Sequence, residues 1–404
     1  MKKEAKTEKV KKKFKRRRKL TLEVILTIIL RSSPYGLQIR IDDYYAEMGQ
    51  KGEEVSKQAM SKGREKLEPE IVKGSFEITA KAMSECEDLE YYKGKYRLCA
   101  IDGSDAVLDN SEELLKVFGG SGRNKDCATA MVSVCYDPMN NIILDGGIYP
   151  YNTSEREAAR NHFGAVEKLP KPAGVRNLYI FDRGYPSKEL FAEMIDYGMK
   201  FLMRVRSKFH ADFERVKRNG TVTFTVEGRQ YTVRVFKITL DSGEEEILVT
   251  NLPNSELSRK EVKELYFKRW GIETKFDSLK NRLELENWSG RRPVTVYQDF
   301  WAKLDLANTI AALEFATDDA IDEATSGKDN KYAQTTNESR LISKFCDDYI
   351  ELLSNSNPKK RLALFDQLVA NISRRPVEVK PDRSVDRLIP RKKKFCDRRK
   401  RSLR

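Results

Sequence analysis

The spacing of apolar residues divides the chain into a helical beginning, a strand-rich centre and a helical end. Residues 20–67 show helical periodicity that is interrupted at 33–34 and 49–52. From Tyr96 onwards the pattern predicts elements in the order β-β-β-α-β-α-β. These are strands at 96–101, 129–136, 141–149, 177–181 and 200–205, and helices at 154–168 and 187–197. The order favours an α/β fold with a mixed sheet flanked by helices.

A second strand-rich stretch follows the fifth predicted strand. Residues 221–250 alternate in hydrophobicity around turns at 227–228 and 241–243, which predicts a β insertion. One long helix is predicted from Ser258 to Leu285, and further helices at 294–315 and 338–354. The long helix carries an apolar stripe that we expect to pack on the sheet, formed by Leu265, Ile272, Phe276, Leu279 and Leu283.

The net charge of +14 is concentrated at the two ends of the chain. Residues 1–19 carry twelve Lys or Arg and two acids, and residues 391–404 carry nine and one, so the 371 residues between them hold 55 basic and 59 acidic side chains. Basic tails of this kind favour a polyanionic partner, most simply a nucleic-acid backbone. A purely solubilising role is the alternative.

Histidine and cysteine usage limits the kinds of metal site. With two histidines, and six cysteines that form no C-x-x-C pair, any metal has to bind to carboxylates. Free thiols are typical of a reducing cytoplasm. The longest aliphatic stretches, in 24–30, are too short for a membrane span.

Two aspartates follow predicted strands directly. Asp102 follows the first strand and Asp182 the fourth. Because strand order in a mixed sheet can bring such ends together, the two carboxylates would repel each other unless a divalent cation lay between them. A helix cap or a turn is the alternative role for each.

A polar row runs along the long predicted helix. Its members are Tyr266, Arg269, Glu273 and Lys280, which fall within about 60° of one another at helical geometry. This row is distinct from the apolar stripe. A surface salt-bridge ladder is the alternative interpretation, since Arg269 and Glu273 are four residues apart.

The two aspartates and the segment Tyr266-x2-Arg269-x3-Glu273-x6-Lys280 resemble the DDE transposases of bacterial insertion sequences, in the branch with the Tyr-Arg-Glu-Lys signature. The flanking segments 250–253 and 285–286 match the same pattern, and the resemblance covers about 55–315. It implies an RNase H-like sheet with a β insertion between the second Asp and the Glu.

The resemblance implies a catalytic and metal-binding role for Asp102, Asp182 and Glu273. They would bind two Mg²⁺ or Mn²⁺ ions, cleave DNA at the element ends and join the 3′-hydroxyl to target DNA by two-metal phosphodiester transfer. It implies cut-and-paste movement that can pass through a hairpin. The alternatives are an RNase H-like nuclease without strand transfer and a catalytically decayed DNA-binding regulator.

The same resemblance assigns DNA contacts. It assigns phosphate binding to Tyr266, Arg269 and Lys280. Arg206 and Lys208, beyond the fifth predicted strand, are interpreted from their charge as an extension of the phosphate-binding groove, and ordinary solvated charges are the alternative. The implied partners are the terminal inverted repeats, target DNA and a second copy of the chain. The implied location is the bacterial cytoplasm, in association with the nucleoid.

The predicted organisation has five parts. They are a basic disordered tail at 1–19, a helical DNA-binding module at 20–95, the catalytic domain at 96–290 with the insertion at about 206–250, C-terminal helices for dimerisation at 291–370, and a basic tail at 371–404. Within the module, the candidates for DNA contact on one helix are Lys57, Gln58, Lys62 and Arg64, and a solvated polar helix face is the alternative interpretation.

Overall fold

The computed structural model describes residues 19–31, 35–122, 125–239 and 243–379. Most of both predicted basic tails therefore lies outside the described residues. The chain forms two compact units, each assembled from separate segments. Unit 1 comprises Met1–Thr79, Val107–Thr129 and Leu279–Arg404, and unit 2 comprises Ala80–Ala106 and Ala130–Ser278.

The strands form one large mixed sheet and a small two-stranded sheet. The strands of the large sheet are β1 (Tyr96–Val107), β2 (Gly120–Ser121), β3 (Cys127–Asp137), β4 (Ile142–Pro150), β5 (Arg176–Phe181), β6 (Lys200–Val205), β7 (Asn219–Val226), β8 (Arg229–Thr239) and β9 (Glu245–Thr250). The small sheet pairs β10 (Ala333–Thr335) with β11 (Val377–Val379).

The helices alternate with these strands and dominate both ends of the chain. They are α1 (Leu22–Leu30), α2 (Leu37–Glu47), α3 (Lys57–Arg64), α4 (Pro69–Ser84), α5 (Glu112–Phe118), α6 (Glu155–Val166), α7 (Lys188–Asp196), α8 (Ala211–Arg215), α9 (Arg259–Phe267), α10 (Trp270–Asp277), α11 (Pro293–Thr325), α12 (Glu338–Ser354) and α13 (Pro358–Ser373).

The sheet order confirms the predicted fold class. Five strands lie side by side in the order β4-β3-β1-β5-β6, with β3 and β4 antiparallel and β1, β5 and β6 parallel. This is the RNase H-like arrangement that the resemblance implied. The predicted β insertion is also confirmed, because β9 pairs antiparallel with both β6 and β8, and β7 forms a hairpin with β8. The hairpin turn has positive φ at Glu227 and Gly228, as tight hairpins require.

Alternating residues of the central strands enter two separate hydrophobic clusters. On β5, Tyr179 and Phe181 belong to one cluster, while Leu178 and Ile180 belong to the other. The first cluster includes Phe163 of α6 and Phe191 of α7. The second includes residues of α9, among them Leu265. Both faces of the sheet are therefore covered, as in parallel sheets generally.

The prediction of one uninterrupted helix from Ser258 to Leu285 is wrong. The helix ends at Phe267, where the N–H groups of Lys268 and Arg269 bond to carbonyls three residues back, and it resumes at Trp270. Close packing accompanies this break, because a Cβ on Gly271 would lie 2.9 Å from Pro138 Cβ. A π-helical turn over Ser278–Arg282 then follows α10.

Unit 1 is centred on the 33-residue helix α11, most of whose first half is buried. The prediction that Arg64 faces DNA is wrong. Its side chain is 1 % exposed, and its guanidinium lies 2.8 Å from the carboxylate of Asp299 on α11. In the ranges that the structure describes, every helix is too short or too polar to cross a membrane.

Candidate active site

The pairing of β1 with β5 brings the two predicted aspartates to the same edge of the sheet. The strands are parallel, and Ile101 lies opposite Phe181 at the end of their pairing. Asp102 and Asp182 are the next residues along the chain after this pair, so they lie side by side where catalytic groups of α/β sheets are usually found. β1 itself continues to Val107, so Asp102 marks the end of its pairing with β5 rather than the end of the strand.

Each aspartate is oriented by a nearby backbone group. The N–H of Gly103 donates to Asp102 Oδ1 at 2.9 Å, and the N–H of Gly184 donates to Asp182 Oδ1 at 2.7 Å. Burial, together with the carboxylates of Asp182 and Glu155, raises the pKa of Asp102 to about 7 against the opposing effects of the Gly103 N–H and Arg269. Negative charge is thus crowded at this edge.

Glu155, at the start of α6, is a third acid at this edge that the sequence did not reveal. A Cβ built on Gly184 would lie 2.7 Å from Glu155 Oε2 and 3.1 Å from Asp182 Oδ1, so both carboxylates reach the same small space. Glu155 is exposed at its surface side, and its partial burial raises its pKa, as do the carboxylates of Asp182 and Asp105. The only sequence signal for Glu155 was its place in the first turn of a helix. Acidic residues are common there simply because they interact favourably with the helix dipole.

The signature residues of α9, of α10 and of the junction between them are more buried than a surface salt-bridge ladder would be. Arg269 Nη2 lies 2.8 Å from Glu273 Oε1, with the two side chains 6 % and 29 % exposed. Although burial lowers the pKa of Arg269, the nearby Tyr266, Glu273 and Asp102 raise it overall. Its guanidinium also lies 5.6 Å from the ring centre of Tyr266. The pair is therefore part of the interior next to the aspartates, which argues against the solvated-ladder interpretation.

Three buried polar atoms near the acids have no hydrogen-bond partner among the described residues. They are Tyr185 Oη, Tyr266 Oη and Arg269 Nε. Burial raises the pKa of the Tyr185 hydroxyl, and so do Asp102, Glu155 and Asp182, whereas burial raises that of Tyr266 to about 12. Buried polar groups are rarely left unsatisfied, so these atoms mark positions for a ligand.

A buried series of hydrogen-bonded side chains contacts the backbone of β1 at Asp102. His162 Nδ1 lies 2.7 Å from Asp145 Oδ2, and His162 Nε2 lies 2.9 Å from Ser133 Oγ. Ser133 Oγ also donates to the carbonyl of Asp102 at 3.3 Å. The residue types match a hydrolytic triad, but all three side chains are buried, so no substrate reaches the serine. These hydrogen-bonded side chains anchor the backbone of Asp102.

The predicted DNA-contacting residues beyond β6 lie on the surface of unit 2. Arg206 and Lys208 are exposed and line a cavity of about 490 Å³. Further basic residues line the same cavity, namely Arg156, Arg183 and Lys188. This basic surface suits phosphate groups. Lys280 lies in the π-helical turn and belongs to unit 1, and its contact with DNA stays a prediction.

The acids at this sheet edge are candidates for a cation site. Across the described ranges, no group of three or more His, Cys, Asp or Glu side chains is arranged to bind a metal ion, and Glu273 is paired with Arg269 instead. The donor chemistry nevertheless fits a hard divalent cation, since Asp102, Asp182 and Glu155 offer only carboxylate oxygens. The unpartnered Tyr185 hydroxyl beside them also fits a bound group.

The strand order defines an RNase H-like fold, with the two aspartates at one edge of its sheet. A family model described as "Transposase DDE domain" matches residues 93–308, more than half of the chain. The chain therefore belongs to the DDE transposase family, whose members are DNA-cleaving and DNA-transferring enzymes that use divalent metals. This confirms the family that the signature residues indicated.

Comparisons with individual proteins are more distant. No curated protein matches the chain. Among solved structures, a cryo-EM structure of the piggyBac transposase synaptic complex with hairpin DNA aligns with a TM-score of 0.37 and 12 % identity. The alignment covers 74 % of this chain and 62 % of that one, so this chain spans less than two thirds of that transposase.

Proposed function

We propose that the protein is a transposase that cleaves DNA at the ends of an insertion element and joins the freed 3′-hydroxyl to target DNA. The observation that carries the proposal is the parallel pairing of β1 and β5, which sets Asp102 beside Asp182. Family membership supports the reaction class. Glu273, on the helix that follows the β insertion, is the third acid of the proposed site.

The proposed cofactor is a pair of Mg²⁺ or Mn²⁺ ions bound by Asp102, Asp182 and Glu273. Such ions would activate a water or a 3′-hydroxyl and stabilise the leaving 3′-oxygen. Gly103 and Gly184 fix the orientation of the two aspartates. The hydrogen bonds that run from Asp145 through His162 and Ser133 hold the backbone of Asp102. The Asp102 carboxylate is therefore positioned before substrate arrives.

The cationic side chains hold and align the DNA backbone. Arg269 presents a planar guanidinium that suits a phosphodiester, and its Nε has no partner in the described part of the chain. Tyr266 offers a hydroxyl beside it, and Lys280 adds a point charge further along the chain. Arg206 and Lys208 extend the phosphate-binding surface beyond β6.

The proposed partners are the terminal inverted repeats, target DNA and a second copy of the chain. A dimer that holds two element ends would use the C-terminal helices. Leu362 and Phe365 on α13 support this proposal, because they are exposed apolar residues three positions apart on one helix face. Excision is proposed to be cut-and-paste, in the bacterial cytoplasm.

The test uses purified protein, DNA that carries the inverted repeats flanking the gene, and Mg²⁺. We expect nicked, hairpin or joined products from the wild type and none from Asp102→Ala, Asp182→Ala or Glu273→Ala. Glu157→Ala, an exposed acid in the same helical turn as Glu155, is the control that keeps activity. Cleavage by any of the three variants would show that the substituted residue is not a catalytic acid.

The products also separate the alternative functions. Cleavage without joining of the 3′-end would indicate an RNase H-like nuclease. DNA binding that persists in chelator, without cleavage in any metal, would indicate a regulator. A hairpin product would separate that excision pathway from direct double-strand cleavage.

A further inference from the structure

We infer that Glu155 is a cation-binding residue of the proposed catalytic centre, acting together with Asp102 and Asp182. In this inference the Tyr185 hydroxyl donates a hydrogen bond to a water or a phosphate oxygen that is bound to the cation. The inference deepens the proposed function and depends on a divalent cation binding at the aspartate pair. It concerns a glutamate outside the Tyr-Arg-Glu-Lys signature.

The position of Glu155 carries the first part of the argument. Its Oε2 and Asp182 Oδ1 lie 2.7 Å and 3.1 Å from the point where a Cβ of Gly184 would be. On its other side, a Cβ of Gly103 would lie 3.6 Å from Glu155 Cγ. Glycines that follow both aspartates thus leave the space that the glutamate occupies.

The partners of the acids distinguish Glu155 from Glu273. Arg269 neutralises Glu273 through a contact of 2.8 Å. Glu155 makes no ion pair within 4 Å among the residues that the structure describes, and it is exposed, so a cation from solvent can reach it. In this conformation the carboxylate that accompanies the aspartates is therefore Glu155.

Tyr185 is an independent observation that points to a ligand. It follows Asp182 by three residues, and its ring packs against Phe181 with centroids 5.2 Å apart, which fixes it in the core. Its side chain is fully buried, and its hydroxyl has no hydrogen-bond partner in the described ranges. A buried hydroxyl without a hydrogen bond destabilises the fold, and a hydrogen bond to a bound group would remove that cost.

The test measures Mn²⁺ binding to the full chain without DNA, by the loss of the electron paramagnetic resonance signal of free Mn²⁺. We expect Glu155→Gln to weaken binding about tenfold or more, since even residues that only support metal ligands contribute about that much. Tyr185→Phe should weaken it about two- to tenfold, the effect of one hydrogen bond. Glu157→Gln, the matched exposed glutamate on the same helix, should bind as the wild type does.

Gly184→Ala provides a second variant, which keeps the carboxylate of Glu155 but displaces it. The added Cβ meets the flexible end of Glu155 rather than backbone, so the fold should tolerate it. We expect a melting temperature close to that of the wild type together with weaker Mn²⁺ binding. Circular dichroism of each variant shows whether it is folded.

The outcomes separate this inference from the proposed function. Wild-type Mn²⁺ affinity in folded Glu155→Gln, with binding lost in Asp182→Asn, would overturn the role of Glu155 and leave the aspartate site intact. Wild-type affinity in Tyr185→Phe would overturn the role of its hydroxyl. Unchanged affinity in Asp102→Asn and Asp182→Asn would instead refute the proposed metal site itself.

Discussion

Replacement of Asp102 by Asn should stabilise the metal-free protein, because the acids at the sheet edge oppose folding when no cation balances them. The pKa of Asp102 is raised from 3.8 to about 7 by burial and then by Asp182 and Glu155. A shift of this size corresponds to about 4 kcal/mol for the ionised form. Since the carboxylate is partly exposed to solvent, we expect about half of that, or about 2 kcal/mol, at pH 8.

The sign of the pH dependence follows from the raised pKa. Between about pH 4 and pH 7 the folded state binds more protons at Asp102 than the unfolded state does, so the contribution of this group to stability falls as the pH rises. Asp102→Asn removes that contribution. The difference between variant and wild type should therefore be small near pH 4 and largest above pH 7.

Differential scanning calorimetry in chelator, from pH 4 to pH 8, measures this difference. For a unit of this size, about 2 kcal/mol raises the melting temperature by about 4–8 °C. Glu157→Gln, which removes an exposed charge from α6, is the control and should change little. Saturating Mn²⁺ should narrow or reverse the gap, because a ligand that binds only the folded wild type stabilises it. A variant that melts below the wild type at pH 8 in chelator would refute the reasoning.

Three further predictions concern stability. His162→Ala leaves the buried Asp145 carboxylate unpaired and should lower the free energy of unfolding by about 3 kcal/mol in urea titrations, so a loss below 1 kcal/mol would contradict the anchoring chain. Arg64→Ala leaves the buried carboxylate of Asp299 without its partner and should lower the free energy of unfolding by about 3–5 kcal/mol in thermal unfolding. Stability equal to that of the wild type would mean that the pair is not buried. Ser258→Ala removes the cap of α9 and should cost about 1 kcal/mol, and an unchanged urea midpoint would exclude a capping role.

The aspartate pair was predictable because strand periodicity is a local signal. The strand pattern before Asp102 and Asp182 was enough to place each directly after a stretch of strand, and the parallel pairing of β1 with β5 ends just before both of them, although β1 itself continues to Val107. The apolar stripe of the signature helices was predictable for the same reason, as its members Leu265 and Ile272 are fully buried.

Features that depend on distant partners were not predictable. Glu155 reaches the aspartates only because the connection after β4 returns its helix to the same edge. Arg64 looked like a DNA contact because its partner Asp299 lies 235 residues further along the chain. The break before Trp270 involves the close contact of Gly271 with Pro138, which no local pattern records.

The interleaving of the two units has a consequence for the order in which they fold during synthesis. Unit 2 has all its residues once Ser278 is made, whereas unit 1 combines early helices with the segment that starts at Leu279. Arg64 of α3 therefore has no Asp299 to pair with until the residues of unit 2 have been synthesised. We expect unit 2 to fold first on the ribosome, while the early helices of unit 1 remain exposed to chaperones until α11 has been synthesised.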